Sequence, residues 1–354
     1  MQGNPISRHK SMPIKEQLRQ WILNRISSGE LKEGEQILSI NKIAKEFKIG
    51  RETVRLSLDS LVQQEILKPK QGKGYFIAPR ERRMLRVGLF AKVDGVYIRP
   101  VYQGLMEELG QSASVLVIDT QALYTPVQSI MENLAYHHSI DRLIIVPPRG
   151  SEEDLNREIA PYRRSFRIAW IVRSPVTATD ASFIADDFAC VTVAMDYFKA
   201  TAIQTCIYFS RNEEDRSTYT TQRASFRDFQ RKKGTAGTFV RNWEDMVPLI
   251  KNARTHTSAA PVGILAENDI EAVFLLTRLL ANGIKIPSEA SLISCDNSPI
   301  TDLVYPAITT VDIGFRELGR QAALWIKEDL FKNGAAAQRR FVASPVLVKK
   351  QTTL

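Results

Sequence analysis

Residues 37–77, ILSINKIAKEFKIGRETVRLSLDSLVQQEILKPKQGKGYFI, constrain this chain more than any other stretch. Two short helical periods flank Lys48-Ile49-Gly50, and a basic segment with paired glycines follows. Ser39 is a natural N-cap, because its side-chain oxygen can accept from a free amide of the first turn. The helix it opens turns Ile40, Ile43, Ala44 and Phe47 inward. The next helix, from Arg51 to about Gln64, buries Val54, Leu58, Leu61 and Val62 and shows Arg51, Glu52 and Arg55 on its other face. Upstream, Pro13 suits a first helical turn, Ile14, Leu18, Trp21 and Ile22 share one face, and Gly29 ends the run. Lys68, Lys70 and Lys73 lie on a hairpin whose tight tip Gly72 and Gly74 permit.

Helix, short turn and helix, with the polar start of the second helix exposed, is a geometry that fits a DNA major groove. Arg51 and Arg55 can each offer guanine two parallel hydrogen bonds, and Thr53 can meet a thymine methyl or a phosphate. The basic hairpin suits phosphate or minor-groove contact. Charge agrees with this placement. Residues 1–83 hold 17 Lys and Arg against 9 Asp and Glu, while the rest of the chain holds 31 against 30. The excess of +9 therefore sits almost wholly in the first quarter, as expected of a polyanion-binding unit joined to a unit with another task.

This segment resembles the winged helix-turn-helix of the GntR family of bacterial transcription regulators. The matching residues are PIKEQLRQWILNRISSGELKEGEQI, the S-x-N-x-I-A start of the second helix, GRETVRLSLDSL and QGKGYFI. The resemblance implies DNA contacts from Ser39, Asn41, Arg51, Thr53, Arg55, Lys70, Gly72, Lys73 and Gly74. Asn41 stands where that family often has an Arg, and Gly50 where a Ser or Thr cap is usual.

After APRERRML, which carries Pro79 and four charges, strand and helix signals alternate. Strands are expected at 85–91, 114–118, 143–146, 168–172, 205–209, 237–240, 262–265 and 291–295, with amphipathic helices between them. That alternation predicts parallel sheets covered on both faces, in two doubly wound lobes, with ligands at the strand ends facing the cleft. Candidate ligand groups follow strands: Arg149 after LIIVPP, Asp186-Asp187 after FIA, Asn268-Asp269 after GILAE and Asp296-Asn297 after LISC. For each pair alone, capping of a helix N-terminus is the competing explanation.

Residues 262–324 resemble the effector domain of LacI/GalR repressors, which shares the periplasmic-binding-protein fold. The match rests on AENDIEA, NGIKIP, SLISCDN and YPAITTVDIGFRELGRQA, with weaker support from SIDRLII and ADD. It implies effector hydrogen bonds from Asn268 and Asp296. The family's effector Arg falls on Gln222, with Arg223 adjacent, and Tyr97 in KVDGVYIRP is the candidate stacking ring. The combination resembles that of arabinose-repressor-type hybrid regulators.

The expectation is an α/β chain: a winged helix-turn-helix over 1–78, a linker over 79–84, and a two-lobed periplasmic-binding-protein-like sensor over 85–354. Its partners would be an operator in double-stranded DNA, a sugar or sugar derivative, and a second copy of the chain. It would act in the cytoplasm as a repressor, without cofactor or metal. Two rival readings have less support. A sugar-active enzyme lacks support from any G-x-S-x-G, H-E-x-x-H or P-loop, and His9, His137, His138 and His256 have no metal-ligand spacing. An exported solute receptor is opposed by the DNA-reading segment and by a first segment without the apolar run of a signal peptide. Cys190, Cys206 and Cys295 form no C-x-x-C pair and read as small buried side chains of a reducing compartment.

Overall fold

Ser39, Lys48 and Gly50 punctuate the first unit, Met1–Leu85, as the sequence predicts. A computed structural model describes residues 6, 13–27, 30–64, 66–79, 84–93, 95, 97–119, 126–136, 140–148, 150–177, 179–211, 217–233, 236–256, 260–331 and 339–354. The first unit contains helices α1 (Ile14–Ser27), α2 (Ile40–Phe47) and α3 (Arg51–Gln63), then the antiparallel strands β1 (Leu67–Lys70) and β2 (Gly74–Ile77). Lys42 N–H donates to the Ser39 hydroxyl, and Lys48 ends α2 in a left-handed conformation that turns the chain into α3. Leu18, Ile22, Ile43, Phe47, Val54, Leu58 and Leu61 form the core, with Ile37, Leu67 and Ile77 brought in from the hairpin side. Val62 is only half-buried, and Ser57 takes the inward position beside Leu58. The Ser57 hydroxyl donates to the Lys15 carbonyl at 2.9 Å, which ties α3 to α1.

Among the described residues, the second unit, Arg86–Leu354, holds two six-stranded sheets. In chain order its elements are β3 (Leu85–Ala91), α4 (Ile98–Leu109), β4 (Ala113–Asp119), α5 (Val127–Tyr136), β5 (Arg142–Ile145), α6 (Glu152–Ile159), β6 (Arg167–Val172) and β7 (Ala181–Ala185). There follow α7 (Asp187–Ala200), β8 (Thr205–Phe209), α8 (Ser217–Lys233), β9 (Ala236–Val240), α9 (Met246–His256), β10 (Val262–Ala266), α10 (Asp269–Ala281), β11 (Ala290–Cys295) and β12 (Thr309–Asp312). The last are α11 (Phe315–Phe331), β13 (Arg340–Ala343) and β14 (Val346–Val348).

Lobe one has the strand order β13-β7-β6-β5-β3-β4, and lobe two has β14-β12-β11-β10-β8-β9. Strands β5, β10 and β11 are buried along their whole length, the pattern of parallel strands covered by helices on both faces. In lobe two, β9, β8, β10, β11 and β12 pair in parallel and β14 closes the edge antiparallel. The chain changes lobe three times, after β7, after β12 and between β13 and β14. Strands β12, β13 and β14 and helix α6 are not among the elements the sequence predicts, and β7 is marked there only by its FIA end.

Helices α4 and α11 cross tightly in lobe one. A Cβ on Gly104 would lie 1.9 Å from the Arg316 carbonyl oxygen, and one on Gly319 would lie 2.1 Å from that of Val101. Ion pairs Arg316–Glu107, Arg320–Glu108 and Lys327–Glu108 flank the crossing. No helix among the described residues is long and apolar enough to cross a membrane.

Candidate functional site

In the first unit, Ser39, Asn41, Arg51 and Arg55 are exposed, and Thr53 is half-buried. Gly50 caps α3 without a side-chain hydrogen bond, so the first-turn amides keep their capacity for a phosphate oxygen. Arg55 is held in place by its own helix. Its Nε and Nη2 donate to the two Glu52 carboxylate oxygens at 3.0 and 2.6 Å, and Nη1 donates to Asp59 at 3.2 Å. The Arg55 hydrogen bond keeps the Glu52 carboxyl below its ordinary range. Tyr75 of the wing donates to the other Asp59 oxygen at 3.0 Å, so helix and wing share one polar network. Lys70 lies over the Phe76 ring, 4.2 Å from its centroid. Gly72 and Gly74 have φ of 72° and 90° at the tip, a conformation that costs glycine little. The Lys73 carbonyl there accepts from Gln36 Nε2.

In the second unit, the ligand-capable pairs named from sequence lie at strand and helix ends. Asn268 caps α10, its oxygen accepting from Glu271 N–H at 2.9 Å, which leaves its Nδ2 donor for another partner. Asp186 caps α7 in the same way, through Ala189 N–H at 2.8 Å. The capping explanation therefore holds for both oxygens. Asp296 and Asn297 follow β11 with φ of 112° and 52°. Asp296 N–H donates to the Val311 carbonyl at 3.0 Å. Asn297 N–H reaches the Thr310 hydroxyl at 3.2 Å, and its Nδ2 reaches Asp312 at 3.0 Å. The second Asp312 oxygen accepts from Gly314 N–H at 2.8 Å, in the segment that returns to lobe one.

That segment leads directly to Phe315, whose ring lies 5.5 Å from Tyr97. The Arg173 guanidinium lies 5.9 Å from the Tyr97 ring centroid. Tyr97 thus has an aromatic ring and a cation as neighbours. Arg173 follows Val172, whose φ is 72°, and it is buried. Neither Arg173, Phe315 nor Asp312 was picked out from sequence. Phe315 lies in the GFRELG stretch that carried the LacI/GalR resemblance, while Arg173 has no local signal beyond following a strand.

Gln222 is buried, and its oxygen accepts from the Tyr208 hydroxyl at 2.7 Å. Tyr208 packs with Phe226 and Phe239, and burial pushes its hydroxyl well above the usual range. The neighbouring Arg223 is half-buried, and its charge acts on Tyr208 in the opposite sense. Arg149 lies outside the described residues. Arg211, at the end of β8, pairs with Glu271 at 2.8 Å and covers the Phe274 ring at 3.7 Å. The thiols of Cys190 and Cys295 are 2.7 Å apart and buried, and burial pushes Cys190 well up. Among the described residues no group of three His, Cys, Asp or Glu side chains is placed to hold a metal ion.

Two family models match the chain. The one described as bacterial regulatory proteins, gntR family, covers residues 14–77, and the one described as periplasmic binding protein-like domain covers residues 196–353. The NTD biosynthesis operon regulator NtdR of Bacillus subtilis is 37% identical over 94 residues, 26% of this chain and 28% of that protein. This chain therefore matches less than a third of that relative's length. The arabinose metabolism transcriptional repressor of Geobacillus stearothermophilus is 21% identical over 98% of this chain and 99% of its own. A crystal structure of a LacI family transcriptional regulator from Arthrobacter sp. FB24, in complex with lactose, superposes with a TM-score of 0.60. It is 20% identical and covers 76% of this chain and 100% of that one, a likeness that shows the fold.

Proposed function

We propose that this chain, a gntR-type DNA-binding domain joined to a periplasmic-binding-protein-like sensor, is a transcription repressor whose grip on its operator is set by a sugar. The observation that carries the reading is the presence in one chain of an exposed basic helix start at Arg51 and Arg55 and a strand-end site built on Asn268 and Asp296. The first has no use in a solute receptor, and the second has none in a simple DNA clamp. The full-length likeness to an arabinose repressor and the fold shared with a lactose-bound regulator support it.

In this reading Arg51 and Thr53 meet base edges, and Arg55 is oriented by Glu52 and Asp59. Ser39, Asn41, Lys70, Lys73 and the Gly72–Gly74 tip meet phosphates or the minor groove. The sugar lies between the lobes. Asn268 Nδ2 donates to its hydroxyls, Asp296 accepts from them, and Tyr97 covers an apolar ring face. Arg149, Gln222 and Arg223 are further candidates there. Sugar binding favours one lobe arrangement, and so shifts operator affinity by no more than its own preference for that arrangement.

The protein acts as a homodimer in the cytoplasm, with two recognition helices about 34 Å apart on a pseudo-palindromic site. Leu303 and Tyr305, 81% and 84% exposed, are apolar surface that a second copy would cover. The test is selection of DNA fragments by the full-length protein, followed by a thermal-shift screen against monosaccharides and sugar phosphates. A selected palindrome released by a stabilising sugar is expected. Selection of no sequence above background would remove the DNA-reading assignment, and a panel without any shift would remove the sugar.

A further inference from the structure

Asp269 is the first residue of α10, and it is 1% exposed. An acidic residue in a first helical turn is favourable at the surface, but burial of a carboxylate is costly unless its oxygens are satisfied. Here they are satisfied by three separate segments. Ser294 of β11 donates its hydroxyl to Oδ1 at 2.5 Å, and Thr310 of β12 donates to the same oxygen at 2.8 Å. Ser298 N–H, beyond the turn after β11, donates to Oδ2 at 2.5 Å. Burial pushes the carboxyl above its ordinary range, and these bonds pull it back.

The three donors bracket two residues with unusual backbone. Asp296 and Asn297 both have positive φ, and the 112° of Asp296 lies outside the narrow left-handed basin that L residues tolerate. Such conformations persist where surrounding structure over-determines them, and they gather at ligand sites. Thr310 serves on both sides, since its hydroxyl oxygen also accepts from Asn297 N–H.

We propose that Asp269 is the positioning residue of the sensing site: its carboxylate ties the ends of β11 and β12 to the Ser298 amide and so holds Asp296 and Asn297 in the conformations that present them to the effector. The proposal rests on the sugar-sensing reading for its purpose, but its geometry is independent of any ligand. Asn268, next in the chain, meets the effector, and Asp269 acts only through Asp296 and Asn297.

The test is amide hydrogen exchange on the full-length protein without any added sugar, read at Asn297 and Ser298, for wild type, Asp269→Asn and Asp269→Leu. Asp269→Leu removes every acceptor and is expected to speed exchange there about tenfold or more, with β8 and β9 unchanged. Asp269→Asn keeps an acceptor for Ser298 N–H and is expected to restore most of the protection. In an Asp296→Gly background the left-handed backbone no longer needs holding. The Asp269→Leu effect should therefore shrink, a coupling that a merely structural role would not give. If Asp269→Leu does not fold, Ser294→Ala removes one donor to the carboxylate and leaves the Thr310 acceptor of the Asn297 amide in place, with the same segment expected to open to a smaller extent. Unchanged exchange at Asn297 and Ser298, or an effect spread evenly over lobe two, would overturn the proposal. Because no sugar is present, that failure is separate from an empty sugar screen.

Discussion

In the proposed repressor the two units build their candidate sites in opposite ways. In the DNA-reading unit, every candidate contact comes from Ser39 to Gly74, one continuous stretch held by a core of its own. In the sensing unit, Tyr97, Arg173, Asn268, Asp296 and Phe315 come from five separate strand or helix ends. A continuous site depends on local caps, turns and periods. An assembled site depends on sheets and crossings formed between distant residues, and damage to packing far from the ligand should therefore reach it.

The largest test of that contrast is Gly104→Leu. A side chain there meets the Arg316 backbone, so α4 and α11 must separate. The expected cost is about 3 kcal/mol, a fall of roughly 6–12 °C in the calorimetric midpoint, with loss of the sugar response. An unchanged midpoint would mean that the crossing does not constrain lobe one. Next, Asp296→Ala should weaken the sugar that gives the strongest thermal shift by about 2 kcal/mol and leave operator affinity unchanged at fixed salt. An unaltered titration would take Asp296 out of the site. Third, Arg51→Ala should cost about 1–3 kcal/mol of operator affinity while the sugar-induced thermal shift stays as in wild type. Equal affinity by fluorescence anisotropy would break the recognition-helix assignment. The smallest effect belongs to the wing. Lys70→Gln should lower the slope of log affinity against log salt by about 0.9, equally for operator and unrelated DNA. A sequence-dependent change would show that the wing reads bases.

What sequence made legible follows the same division. Ser39 and the inward Ile43 and Phe47 define α2 by residues within a few positions of one another, and the structure places its ends at Ile40 and Phe47. The long parallel strands β8, β10 and β11 were visible as apolar runs. Strands β13 and β14 were not, because four- and three-residue segments such as RFVA and VLV become strands only beside β7 and β12. The same limit applies to the site. Asn268 and Asp296 stood out as polar residues ending apolar runs. Arg173 joins Tyr97 only after β6 ends in the positive φ of Val172, which nothing in RIAWIVRS signals. Glu52 and Arg55 carried their pairing openly in i,i+3 spacing. Asp269 looked like one half of a capping pair, and its three distant donors appear only in the folded sheet.

The pairing of Phe341 with Phe183 puts β13, made near the end of the chain, against β7 at the edge of lobe one. On a ribosome adding on the order of 10 residues each second, β7 emerges long before its neighbour. Most of lobe two is synthesised in the interval. The DNA-reading unit, complete within its first 85 residues, is under no such delay. In the proposed repressor, a nascent chain would therefore carry a finished first unit while the sheet of lobe one still has an open edge, and the order of manufacture would favour the part that is later restrained.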